Sequence, residues 1–215
     1  MSHLKRQKVP KSWPIHRKGT TWVVGGFNIK HGIPILIILR DMLNITHTKK
    51  EAKKALHERQ ILLNGKVVRD EKNSVVLLDV ITIVPSKENY RMILSEKGKF
   101  KLEKIKESEA GYKISKIINK KMLKGKKIQL NLIDGRNVIS DIKCKTNDSV
   151  IISLKTGKIE KCFSLKEKAK VMVIGGKHAG VFGEIEKIDE KHKIVELKHL
   201  KDKINVLIKH LIIIE

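Results

Sequence analysis

The spacing of apolar positions changes along the chain and predicts where helices give way to strands. Over residues 35–43 apolar side chains recur at helical spacing, directly after Pro34, which suits the first turn of a helix. The segment THTKKEAKKALHERQ predicts a second helix, because Thr48 and Glu51 have the spacing of an N-terminal capping box. Its lysines fall on a different face from its apolar residues, so we expect the lysines to face outward.

The chain after the second helix predicts strands. ILLNGKVV alternates around Asn64-Gly65, a dipeptide typical of a tight hairpin. VVLLDVITIV, residues 75–84, predicts one further strand that ends at Pro85. Residues 87–165 predict a β-rich module, because turn dipeptides at Lys97-Gly98, Asp134-Gly135 and Thr156-Gly157 separate alternating runs.

The last fifty residues predict a small barrel of the SH3-like kind. VMVIGGKHAGVFGEI predicts a strand, a glycine-rich turn and a second strand, and IVELKHL and INVLIKHLIIIE add more strands. The glycines are those at positions 175, 176, 180 and 183, where we expect positive φ angles. Their spacing excludes a P-loop, since His178 follows Gly176-Lys177 where a Ser or Thr is required, and it excludes the dinucleotide pattern as well.

The net charge of the chain indicates the class of its partner. The chain has 47 Lys and Arg against 23 Asp and Glu, a net charge of +24, which predicts a polyanionic partner. Residues 1–32 contain no acid, two prolines and both tryptophans, Trp13 and Trp22, without any helical or strand period. We therefore expect an arm that is disordered alone and becomes ordered on RNA, with a floppy tail as the alternative.

The sequence does not indicate a metal protein, an enzyme or a membrane protein. Cys144 and Cys162 lack further ligands at metal spacing, so we expect reduced thiols, no metal and no cofactor. No nucleophile-base pair or carboxylate pair is placed for catalysis, and the histidines are scattered, so we expect no enzyme. The longest apolar run, residues 33–39, is too short to span a membrane, and the basic N-terminus does not resemble a signal peptide. We expect a cytoplasmic protein that is not a homo-oligomer.

Two segments resemble known RNA-associated modules. Glu51-Ala52-Lys53 followed by Leu63-Asn64-Gly65-Lys66 is similar to the RNA-binding domain first named from bacterial ribosomal protein S4, although Gln60 stands where a glycine is common. This resemblance implies that the basic helix and hairpin face structured RNA. The glycine-rich turn of the last module resembles the KOW motif, which implies contacts to RNA or protein through Lys177 and His178.

The order of the parts resembles the archaeal and eukaryotic small-subunit ribosomal protein family S4e, most closely in its archaeal form. The segments that carry the likeness are His3 to Arg6, Pro10 to Lys18, Glu88 to Arg91, Gly125 to Asn137 and Ile174 to Gly180. One departure is GGFNIKHGIPI, residues 25–35, where the family has a G-P-H-P stretch. This departure leaves the conformation of the join between the arm and the first helix open.

The resemblance implies an α+β protein of several modules. These are a basic N-terminal arm (residues 1–32), an S4-type helix-hairpin RNA-binding domain (33–86), a central β-rich domain (87–165) and an SH3-like KOW barrel (166–215). The implied function is structural: the protein binds and stabilises folded 16S-type rRNA in the small ribosomal subunit, beside neighbouring ribosomal proteins, by charge neutralisation and shape recognition. The residues expected to contact RNA are Lys5, Arg6, Lys8, Lys11, Trp13, His16, Arg17, Lys18, Lys49, Lys50, Lys53, Lys54, His57, Arg59, Asn64, Lys66, Arg136, Lys177 and His178.

Two alternatives come from other classes of protein. An RNA-modifying enzyme of the pseudouridine synthase type can contain the same helix-hairpin module, but it needs a catalytic domain with a positioned aspartate. About eighty lysine-rich residues remain for that domain, which is small. A transcription factor with a KOW motif does not need this much charge in every module.

Overall fold

The computed structural model describes residues 4–140, 142–189, 192–199 and 202–214. The chain forms two compact units, which are described separately below. The first comprises residues 1–94 and 99–111, and the second comprises residues 95–98 and 112–215.

The first unit contains nine strands and three short helices among its described residues. Its strands are β1 (Leu4–Lys5), β2 (Trp22–Val23), β3 (Gly32–Pro34), β4 (Ile61–Leu63), β5 (Lys66–Val67), β6 (Ser74–Val76), β7 (Val80–Ile83), β8 (Glu88–Leu94) and β9 (Phe100–Ile105). Its helices are α1 (Ile35–Ile37), α2 (Lys49–His57) and α3 (Glu107–Ala110), and a π-helical turn (Ile38–Met42) continues α1.

The main sheet of the first unit crosses the predicted domain boundary at residue 87. Its strand order is β5-β4-β7-β8-β9, so the long hairpin β8–β9 pairs with the strands that follow α2. The register places Ile81 opposite Tyr90 and Thr82 opposite Asn89. Strands 88–105, which we expected in the central module, are therefore continuous with the sheet of the preceding module.

Helix α1 and its π-helical turn form the most deeply buried segment of the first unit. Every side chain from Ile35 to Leu39 has no exposed surface. A helix that is apolar on all sides must be surrounded by protein. The predicted first helix is therefore confirmed in position, but its second half winds more loosely, with the Leu43 N–H donating to the Ile38 carbonyl.

Helix α2 begins and ends as its sequence requires. The Thr48 hydroxyl accepts from the Glu51 N–H at 3.2 Å and the Glu51 carboxylate accepts from the Thr48 N–H, which confirms the capping box. At the other end Arg59 has a φ of +58°, and the Gln60 N–H donates to the Ala55 carbonyl. This is a Schellman motif in which Arg59 occupies the left-handed position that glycine usually fills.

The predicted single strand over residues 75–84 is wrong. The chain turns between β6 and β7, where Leu78 has a φ of +63°. The buried Asp79 carboxylate accepts from the Val76 N–H at 2.7 Å and from the Asn64 side-chain amide at 2.8 Å. These hydrogen bonds stabilise a turn that the apolar alternation conceals.

The N-terminal arm packs within the first unit, in contrast to the disorder that we expected. Strands β1 and β2 pair with Lys5 opposite Trp22. The Phe100 N–H donates to the Ser12 carbonyl at 2.8 Å, so the arm is hydrogen-bonded to β9. The join at residues 25–35 is also fixed, because the Asn28 N–H donates to the Ser74 hydroxyl at 2.8 Å.

The second unit contains two five-stranded antiparallel sheets. The central sheet has the order β12-β11-β10-β13-β14, and the C-terminal sheet has the order β18-β17-β16-β15-β19. The strands are β10 (Tyr112–Met122), β11 (Ile128–Leu132), β12 (Asn137–Ile139), β13 (Ser149–Ser153), β14 (Ile159–Phe163), β15 (Lys170–Val173), β16 (Phe182–Asp189), β17 (Ile194–His199), β18 (Asp202–Leu207) and β19 (Leu211–Ile213).

The hairpins of the second unit follow the predicted turn dipeptides. Gly135 and Gly157 have φ angles of +84° and +70°, and Leu130 lies opposite Val138 across the first of these hairpins. The C-terminal sheet differs from the prediction. Within residues 170–213, as far as the structure describes them, no ladder joins β18 to β19, so the sheet is open and not a closed SH3-like barrel.

Candidate nucleic-acid interface

The four lysines of α2 at positions 49, 50, 53 and 54, here called the helix stripe, are all exposed as predicted, but two of them share one nearly buried carboxylate. The Lys49 and Lys53 ammonium groups lie 3.2 and 3.6 Å from the same Glu71 oxygen. The side chain of Glu71 is 9 % exposed, so this carboxylate is held against the helix. Two of the four stripe lysines therefore share one carboxylate, which compensates one of the four positive charges within the fold.

The local environment keeps Glu71 ionised. Burial pushes the pKa of Glu71 upward, but the hydrogen bond from Lys49 and the charges of Lys49 and Lys53 outweigh burial, so the pKa lies below its usual value. The carboxylate thus remains negative at neutral pH and attracts both lysines.

The rest of α2 and the following corner presents less compensated charge. Lys54 lies 3.8 Å from Glu58, an exposed pair that contributes little. Among the described residues Lys50 has no ion pair, and His57 and Arg59 are exposed. Lys50, Lys54, His57 and Arg59 therefore remain accessible to an anionic partner.

Asn64 is a structural residue and not an exposed RNA contact. Its side chain is 6 % exposed. Its amide nitrogen donates to Asp79 at 2.8 Å, and its amide oxygen accepts from the Val80 N–H at 3.0 Å. The hairpin residue that faces solvent is Lys66, in β5.

The two tryptophans of the arm have opposite environments. Trp13 is 2 % exposed and donates its indole N–H to the Gly32 carbonyl at 3.1 Å, so its ring is unavailable for stacking on a base. The prediction that Trp13 contacts RNA is therefore wrong, because its ring is part of the core. Trp22 is 53 % exposed, and the Lys5 ammonium lies 6.0 Å from its ring centroid. Sequence alone could not distinguish these two rings.

Of the basic residues predicted to contact RNA in the arm, one is used within the fold and the others are exposed. The Arg6 guanidinium donates to the Thr20 carbonyl at 2.7 Å, to the His16 carbonyl at 2.8 Å and to the Thr20 hydroxyl at 2.8 Å. Arg6 therefore holds the arm's loop together. The remaining predicted contacts are exposed: Lys5, Lys8, Lys11, His16, Arg17 and Lys18.

The glycine loop, residues 174–181, projects its polar residues outward. Gly176 and Gly180 have φ angles of +89° and +92°, as expected, whereas Gly175 and Gly183 do not. Gly183 is required for a different reason, since the neighbouring backbone is too close for a side chain. A Cβ atom there would lie 2.8 Å from the Lys198 carbonyl oxygen. Lys177 is exposed and His178 is half-buried, so the loop can present both to a partner.

Arg136 already has a partner within its own hairpin. Its guanidinium Nε lies 3.6 Å from Asp134, whose carboxylate also receives the buried Lys113 ammonium at 2.7 Å. This site is therefore less cationic than the sequence suggests. At Arg136, as at Lys49 and Lys53, the cation is evident in the sequence, whereas the carboxylate beside it is evident only in the fold.

Three family models match the chain. The model described as "Ribosomal family S4e" matches residues 86–159, "RS4NT (NUC023) domain" matches residues 2–25, and "KOW motif" matches residues 167–198. Together these matches follow the order arm, centre and glycine loop that the sequence analysis emphasised.

Curated and solved relatives match most of the chain. A protein of Methanocella arvoryzae named small ribosomal subunit protein eS4 is 40% identical over 191 residues, which cover 87% of this chain and 81% of that protein. The protein of the same name from Archaeoglobus fulgidus is 37% identical over 196 residues, 90% of this chain and 81% of its own. The crystal structure of ribosomal protein S4e from Thermoplasma acidophilum superposes with a TM-score of 0.74 at 29% identity, covering 86% of this chain and 95% of that one.

Proposed function

Because the chain belongs to the ribosomal family S4e, we propose that it binds and stabilises folded 16S-type rRNA through basic surfaces on both of its units. The protein is a structural constituent of the small ribosomal subunit. The comparisons give no support to the alternative of an RNA-modifying enzyme. We place it in cytoplasmic ribosomes, beside other small-subunit proteins.

The observation that supports this proposal most directly is the net charge of +24 together with its position on the fold. Lysines and arginines lie exposed on the arm, on α2, at the β4–β5 hairpin and on the glycine loop. Phosphates release condensed counterions when such side chains approach, and this release drives association. Since the positions are fixed by rigid elements, they suit an RNA that is already folded.

The residues proposed to contact rRNA are those that folding leaves exposed or half-exposed. They are Lys5, Lys8, Lys11, His16, Arg17, Lys18, Lys50, Lys54, His57, Arg59, Lys66, Lys177 and His178, with Trp22 added as an exposed aromatic. Lys49, Lys53, Arg6 and Arg136 contribute less, because each already has partners in the fold.

Sedimentation tests the proposal. The full chain should co-migrate with small subunits at moderate salt and should bind the isolated small-subunit rRNA of its own organism. Binding confined to large subunits, or catalytic turnover of free RNA without stable binding, contradicts it.

The helices among the described residues are all short. No helix among them is long and apolar enough to cross a bilayer. The proposal that the protein is not a homo-oligomer is tested separately, by the mass of the RNA-free protein in solution, which should equal one chain of 24.6 kDa.

A further inference from the structure

A groove in the second unit brings together five lysines that lie far apart in sequence. It encloses about 910 Å³. One wall comes from the loop between β12 and β13 and the segment after β14, and the other comes from the C-terminal sheet. The lysines that line this basic groove are all exposed: Lys143, Lys145, Lys166, Lys193 and Lys209.

The lining has little negative charge to balance these lysines. Among the described residues of the lining the one carboxylate is Asp148, which is 4 % exposed and accepts from the Lys145 N–H at 2.7 Å and from the Leu165 N–H at 3.1 Å. Asp148 is thus committed to backbone amides. Asp189 lies beside the lining and has His192 as its partner at 2.7 Å. Among the described residues none of the five lysines has an ion pair, in contrast to Lys49 and Lys53 on α2.

The two walls are fixed to one another within this unit. The Ser149 hydroxyl accepts from the Ile213 N–H at 2.8 Å in a buried position. The Lys116 ammonium donates to the Ile208 carbonyl at 2.5 Å. Phe163 and Leu165 pack against the core of the C-terminal sheet. A groove with fixed walls binds without a large ordering cost.

A further cation lies behind the groove. Lys116 is 2 % exposed, and within the described part of the chain it has no carboxylate partner. Burial lowers its pKa to about 8, so it is still mostly charged at neutral pH. The Ile208 carbonyl that it contacts belongs to a residue of the lining, so this charge adds to the positive potential there.

We propose that this basic groove binds the sugar-phosphate backbone of folded rRNA. The inference rests on the proposed function and extends it to a site formed by the central and C-terminal sheets together. Among its described residues the lining contains lysines but no arginine, tryptophan, tyrosine or phenylalanine. Lysines act as point charges along a polyanion, and the one aromatic ring of the described lining, His192, already has Asp189 as a partner at 2.7 Å. Recognition is therefore of backbone shape and charge and not of sequence.

The other anionic occupant to consider is an acidic segment of a neighbouring protein. Arginine pairs with carboxylates and phosphates alike, so its absence from the described lining does not separate the two occupants. The net charge of +24 and the exposed lysines elsewhere on the chain match a long polyanion better than a short acidic segment. The groove therefore favours RNA.

The test compares two triple variants of the full chain. Lys145, Lys166 and Lys209 are changed to Gln in the groove variant, and Lys155, Lys158 and Lys161 are changed to Gln in the control. The control lysines are also exposed and in the second unit, but they do not line the groove. Both variants lose the same charge, so a difference between them reports position. A third variant, with the groove lysines changed to Arg, retains the charge.

Binding to small-subunit rRNA of the same organism is measured across about 50 to 200 mM salt. We expect the groove variant to lose roughly 100-fold in affinity, and its slope of log affinity against log salt to become shallower by about three. The control should lose much less, and the Arg variant should bind like the parent. Equal melting temperatures for the three variants exclude misfolding as the cause.

Each other outcome overturns the inference in a distinguishable way. If groove and control variants bind rRNA equally while the parent binds well, the groove is not an RNA site and the proposed function stands. If they bind equally but only the groove variant fails to enter small subunits, the occupant is a protein. If the parent itself shows no salt-dependent rRNA binding, the proposed function fails together with the groove.

Discussion

The helix stripe on α2 and the basic groove of the second unit contain similar numbers of lysines but differ in how those charges are balanced. Glu71 lies within 3.6 Å of two stripe lysines, whereas Asp148, the one carboxylate among the described residues of the groove lining, accepts hydrogen bonds from two backbone amides. Cations that are paired in the fold give up part of their attraction for an external anion. The positions of carboxylates, and not the number of lysines, therefore indicate where a polyanion binds.

The largest effect should come from removing the carboxylate of the groove. Asp148→Ala leaves the Lys145 and Leu165 N–H groups without their acceptor in a buried position. We expect a loss of about 2–5 kcal/mol in the free energy of unfolding, measured by denaturant titration. A loss below about 1 kcal/mol shows that Asp148 does not hold the groove wall.

At Lys116 we expect a smaller change in the free energy of unfolding, and this change is a stabilisation. Lys116→Met removes a buried cation whose pKa is lowered to about 8, and should raise the free energy of unfolding by about 1–3 kcal/mol at pH 7. Because the folded pKa lies below the unfolded value near 10.5, the parent gains stability as pH rises from about 8 to about 10.5. The difference between variant and parent should therefore shrink over that range. Parallel stability curves contradict a lowered pKa of Lys116 in the folded protein.

Glu71→Gln should weaken the fold while strengthening RNA binding. The stability that Glu71 provides through its lysines is about 1 kcal/mol, because Lys49 and Lys53 are half-exposed and screened. Since its folded pKa is below the usual value, this contribution is present above about pH 4.5 and is lost as the pH falls through the folded pKa. The variant should also bind rRNA a few-fold more tightly at neutral pH. Unchanged affinity means that Lys49 and Lys53 do not face the RNA.

The smallest effects separate the two halves of the helix stripe. Lys50 and Lys54 changed together to Gln should weaken rRNA binding about threefold and leave the melting temperature unchanged. Lys49 and Lys53 changed to Gln should lower the melting temperature by a few degrees and weaken binding less. Identical behaviour of the two pairs shows that Glu71 does not divide the stripe.

Much of the fold could be predicted from local sequence, because local chemistry determines it. The capping box of α2 and the hairpin at Asp134-Gly135 depend on residues within a few positions of one another. The break between β6 and β7 could not be predicted, because it depends on Asp79 meeting Asn64 across fifteen residues of sequence.

In the candidate site, too, the features set by local sequence could be predicted and those set by distant contacts could not. Exposed lysines on one helix follow from helical periodicity, and they were predicted. The burial of Trp13 and the exposure of Trp22 depend on what the arm packs against, which composition does not reveal. The basic groove combines residues from 143 to 209, so no window of sequence displays it.

The central claim is that the uncompensated lysines of the fold bind folded rRNA by neutralising its phosphates. The most direct measurement is the affinity of the full chain for small-subunit rRNA between about 50 and 200 mM salt. With about six to ten phosphates neutralised, the account predicts a fall of roughly 10³- to 10⁵-fold over this range. An affinity that changes less than about tenfold contradicts the claim.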